Sequence, residues 1–111
     1  MNKEPSNDNK RYTKFTLNGY KWRIAYTKKD DITSSAHFDA INKVITLNEN
    51  YIKDYATYVE SLRHELFEAC LTINGCRYIS LDMNDNVQII MQHKQLDIVL
   101  GAYHHALETL E

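Results

Sequence analysis

The hydrophobic period of this chain changes near residue 50, and that change constrains the fold more than any other feature. Before it, apolar residues alternate with polar ones. In "YKWRIAYT" Tyr20, Trp22, Ile24 and Tyr26 are separated by Lys21, Arg23, Ala25 and Thr27, the pattern of a strand with one buried face. After it, Tyr55, Val59, Leu62, Leu66, Ala69 and Ile73 recur at helical spacing, the stripe of an amphipathic helix. Strands first and helices second predict the α+β class, here a small antiparallel sheet followed by two packed helices.

The boundaries of these elements are marked by short signals. Asn18-Gly19 joins two alternating runs, and a type I′ hairpin turn favours this pair because both central residues need positive φ. "KKDDITSS" reads as a loop, followed by strands over about 36–39 and 43–47 around a turn near Ile41-Asn42. Asp54 is an N-cap, and Asn74-Gly75 a stop, for a helix near 54–74. A second helix covers roughly 88–110, with a stripe of Leu96, Val99, Leu100, Tyr103, Leu107 and Leu110. The stretch between the helices, "CRYISLDMNDN", leaves room for a short extended piece. With 111 residues the chain suits one domain over 11–111, preceded by a polar, disordered tail at 1–10.

Composition removes several function classes. A formal net charge of -2 provides no basic footprint, so direct nucleic-acid binding is not expected. No apolar run approaches the ~20 residues of a membrane span, and the first ten residues lack the apolar segment of a secretory signal. Cys70 and Cys76 match neither a C-x-x-C pair nor a disulfide framework, which suits two reduced thiols in the cytoplasm.

The chemistry concentrates in "SLRHELFEACL". His64-Glu65 begins the H-E-x-x-H zinc pattern, but Glu68 stands where the second histidine belongs. The same letters also suit a local His–Glu pair on a helix surface. Phe67 and Leu71 share the side of His64 and Glu68, so this helix is apolar on two sides and expected to lie sandwiched, with the sheet on one side and the last helix on the other. Charged groups in such a gap need partners, and a metal ion is one. On the last helix His93 offers a third ligand, with Asp97 one turn later to accept from its other ring nitrogen.

These segments, with "TSSAHFDAINKVITLNENY" before them and "HKQLDIVLGAYHHALETL" after, resemble the minimal zincin-like metallopeptidases of phages and mobile elements, in the H-E-x-x-E variant. The resemblance spans roughly residues 20 to 110. It implies a small sheet, an active-site helix and a ligand from the final helix. Carried over, His64, Glu68 and His93 hold zinc, and Glu65 is the catalytic base that takes the proton of an attacking water. A peptide substrate is expected along an exposed sheet edge, for which the 43–47 strand is the candidate.

Two functions follow. One is a zinc-dependent peptidase. The other is a non-catalytic metalloprotein that binds and inhibits a host defence protein, in the manner of anti-CRISPR proteins, with zinc as a folding staple. Either acts on a protein or peptide partner, and the chain is expected to be a monomer. His104 and His105 lie about 16 Å beyond His93 at 1.5 Å per residue, so they do not share its metal. His104 can serve a second, outer site, and His37 reads as a surface residue.

Overall fold

The computed structural model describes residues 10–28, 36–80 and 87–111. The expected tail falls, but for its last residue, outside them. Strand β1 (Lys14–Leu17) and strand β2 (Tyr20–Thr27) meet at the expected turn, with Asn18 at φ 50° and Gly19 at φ 83°. Their register sets Phe15 opposite Trp22, and the two rings stack 5.7 Å apart. Strands β3 (Ala36–Asp39) and β4 (Val44–Asn48) form a second hairpin. Asp39 fixes its turn by accepting from the backbone N–H groups of Ile41 and Asn42.

The sheet order is β1-β2-β4-β3, and β2 pairs with β4 in parallel, Ile24 opposite Ile45. The expected antiparallel sheet is therefore a mixed one. Alternation says which face a residue occupies but nothing of which strand lies beside it or in which direction. Burial supplies the reason for the order. β4 carries Ile45 and Leu47, both fully buried, and takes an inner place. The shorter β3, with exposed His37, takes the edge, where one side of the backbone is left open. Phe15, Leu17, Trp22, Ile24, Ala36, Ile45 and Leu47 form the buried face.

Helix α1 (Tyr55–Ile73) crosses this face above β3 and β4. Its N-cap Asp54 accepts from the N–H of Thr57, and its chain reverses after Asn74 through Gly75 at φ 74°. Tyr58, Leu62, Leu66 and Ala69 are its buried stripe. Each large apolar side chain buried in this way stabilises the fold by about 1.5–3 kcal/mol. Tyr58 adds polar ties, donating from or accepting at its hydroxyl with Tyr26 at 2.8 Å and accepting from the N–H of Tyr12.

Strands β5 (Arg77–Ser80) and β6 (Val87–Ile90) make a separate antiparallel pair. Helix α2 (His93–Glu108) follows, shorter than the expected 88–110 because the β-branched run at its start pairs with β5 instead. α2 lies along β1 and α1. Val99 and Ala106 are its fully buried positions, whereas Leu96 and Leu100 remain 38% and 49% exposed. The last residues close the molecule: Glu111 exchanges backbone hydrogen bonds with Thr13 and Lys14, and the Thr109 hydroxyl accepts from the N–H of Thr16. Among the described residues no helix is long and apolar enough to cross a membrane.

Candidate metal centre

Glu65 is the anomaly from which the site is built. Positions 58, 62, 65, 66 and 69 fall on one helical face by their spacing, and four of them are the apolar stripe that α1 lays on the sheet. The fifth is a carboxylate, and only 8% of Glu65 is exposed. Its acidity reflects the setting: burial pushes its pKa up, the nearby Glu68 carboxylate pushes it further, and His64 pulls it back. Such a group costs stability unless a cation or proton accompanies it.

His64 and Glu68 stand beside it on the same helix. Nε2 of His64 lies 3.3 Å from a Glu68 carboxylate oxygen and 4.0 Å from one of Glu65. One donor atom from each of the three lies within 4.8 Å of the others. Two ligands each about 2.0–2.1 Å from a tetrahedral ion are about 3.3–3.4 Å apart, so His64 and Glu68 already have the separation of a shared metal. Glu65 is wider, adjacent to that position but not at ligand spacing from His64. The donor set, one imidazole and two carboxylates, suits a divalent ion of borderline hardness.

The surroundings differ from the expected sandwich. His64 is exposed, Glu68 half-buried, and only Glu65 is covered. A hollow of about 250 Å³, lined by Glu60, Ser61, His64 and Glu65, opens at the group. The sequence singles out neither Glu60 nor Ser61; their one signal is their place one helical turn ahead of His64 and Glu65, respectively. On the neighbouring flank a larger hollow of about 670 Å³ runs between the helices past Arg63, Phe67 and Tyr103.

His93 does not join the group. The helices pack antiparallel, with the Cys70 thiol donating to the carbonyl of Val99 and Phe67 meeting Tyr103 edge to face at 5.2 Å. From that crossing His64 lies six residues in one direction and His93 six in the other. The helical rise separates them by about 18 Å along the axes, beyond the reach of two side chains to one ion. His93 is exposed at the first turn of α2, and Asp97 is exposed one turn later. Neither can complete or support the centre at His64. His104 pairs with Glu108 at 3.5 Å, and among the described residues neither it nor His37 enters a three-donor group. The expected substrate edge also moves, since residues 44–48 are internal and β3 is the outer strand. Compared with family models, curated proteins and solved structures, the chain finds no match.

Proposed function

We propose that the chain is a zinc-binding protein of the zincin-like kind, of phage or mobile-element origin, and that it hydrolyses peptide bonds. The observation that carries this reading is the unequal spacing within the three-donor group: His64 and Glu68 at 3.3 Å, Glu65 at 4.0 Å. The first two would hold the ion and the third would stand beside it. When bound, zinc supplies Lewis acidity toward a carbonyl and makes water a better acid.

The protein's own groups do the rest. Glu65 accepts the water proton, a role helped by burial and the Glu68 carboxylate, which raise its pKa above the ordinary carboxylate value. The hollow beside Glu60 and Ser61 receives a side chain of the substrate. The outer edge of β3, beneath α1, aligns an extended peptide by strand addition.

A second reading has its own support. Since His93 is out of reach, Glu65 is the nearest third donor among the described residues. If it ligates, no base remains, and the ion staples a protein that acts by binding, as an inhibitor of a host defence protein does. Glu65→Gln separates the two. For the peptidase, the variant retains one zinc per chain and loses about 10²–10⁴ in peptide hydrolysis rate. Loss of zinc from the variant, with no hydrolysis by the parent protein, would establish the staple. Metal content by mass spectrometry and cleavage of a peptide library are the two measurements.

A further inference from the structure

The larger hollow between the helices holds two polar groups that have no partner among the described residues. Its apolar wall is formed by Ala56, Val59 and Phe67 of α1 and the ring of Tyr103 of α2. Its volume of about 670 Å³ lies within the range of small-ligand sites, about 300–1,000 Å³. Arg63 stands on the same lining, is exposed, and forms no ion pair among the described residues. Tyr103 is half-buried and packed on Phe67, yet among the described residues its hydroxyl has no hydrogen-bond partner. Burial raises the pKa of this phenol and Arg63 lowers it, so the two groups are electrostatic neighbours. A guanidinium and a phenol donor beside an apolar wall suit a carboxylate that carries an apolar group.

We propose, resting on the peptidase reading above, that this hollow receives the C-terminal residue of a peptide substrate. Its apolar side chain lies against Val59 and Phe67, and its free carboxylate on Arg63 and the Tyr103 hydroxyl. A C-terminal residue carries both groups on one Cα. An internal acid next to an apolar residue does not, because adjacent side chains of an extended chain point to opposite sides. Glu60 and His64 line both this hollow and the smaller one, so a peptide seated here has its last bonds beside the His64 group. Glu60, on that shared wall, forms no ion pair with Arg63, which leaves the guanidinium available. Arg63 and His64 are adjacent on α1 and diverge by about 100°, so their tips stand roughly two extended residues apart. The cut therefore falls close to the C-terminus. The oxygen of water joins the carbonyl carbon and the C–N bond breaks. The proton taken by Glu65 passes to the departing amine, and the short C-terminal piece leaves with it.

Binding and cleavage by the full chain test this with acetylated alanine peptides that differ at the C-terminus. One ends in Phe with a free carboxylate, one in Phe amide, one in Gly with a free carboxylate, and one in Asp-Phe amide. In zinc-free protein no bond is cut, and NMR titration reads the hollow alone. There the free Phe peptide should shift Val59, Phe67 and Tyr103 at about tenfold lower concentration than the other peptides. Arg63→Gln should abolish that preference at an unchanged melting temperature, because Arg63 lies outside the core. Tyr103→Phe, which keeps the ring on Phe67, should reduce it. With zinc added, mass spectrometry should find the same order of cutting rates. Equal binding of the free and amidated Phe peptides overturns the inference, as does no binding of any peptide up to about 10 mM. So does an Asp-Phe amide that binds as tightly as the free acid, or a preference that survives Arg63→Gln. A free-Phe preference in binding, with no peptide cut when zinc is bound, supports the C-terminal site and sinks the peptidase reading. Cutting of all the peptides alike sinks the C-terminal site and leaves that reading.

Discussion

Glu65 shows what one residue can reveal and conceal. In the sequence the stripe of α1 runs unbroken through Leu62, Leu66 and Ala69, so only His64 before it marks Glu65, and nothing there shows that this acid is buried beside the core leucines. The burial has a consequence that needs no metal. Because burial and Glu68 raise its pKa, the folded state favours the protonated acid. The stability it contributes is complete below the unfolded carboxylate range and is lost as pH rises through the higher folded value. In chelated protein, Glu65→Gln should therefore melt above the parent at about pH 8 and near it at about pH 4, as thermal scans across that range will report. Cys70 is a similar case without a charge to relieve. Burial pushes its thiol up to about 11, so alkylation of the native protein at about pH 8 should proceed far more slowly than of the unfolded chain, as mass spectrometry of quenched samples will show.

Among the elements, α1 was legible nearly to its last residue, Tyr55–Ile73 against an expected 54–74. A nineteen-residue helix repeats its stripe often enough to fix its phase, and Asp54 and Gly75 punctuate it. The relation between elements was not legible. Two amphipathic stripes announce that two helices pack, yet they say nothing of which ends adjoin, and the placement of His93 rested on that unknown. The antiparallel crossing at Cys70 and Val99 gives a direct test. His93→Ala should keep metal stoichiometry unchanged, whereas His64→Ala should lose it, both measured by elemental analysis after dialysis. In the same way, alternation and turn signals marked the described strands before residue 50 but could not reveal that β4 inserts between β2 and β3. Packing depends on both decisions together: Leu66, fully buried where α1 meets the sheet, should lose about 2–5 kcal/mol on change to Ala, read from urea denaturation.

At the scale of the whole molecule, the two edges of the main sheet are treated differently. The outward groups of β1 are occupied: Lys14 exchanges hydrogen bonds with Glu111, and the N–H of Thr16 donates to Thr109. The outer edge of β3 has no strand beside it among the described residues. Removing residues 109–111 should lower the melting temperature and raise light scattering on heating, because the β1 edge would then be unpaired. With those residues in place, the described part of the sheet stands toward other strands as a monomer unit with one functional end stands in a polymerisation. A guest strand can add at β3, or two molecules can meet there and exhaust each other's open edge, but no third can follow. The backbone clasp at the far side is thus a chain terminator, limiting edge-to-edge growth of this sheet to a single step.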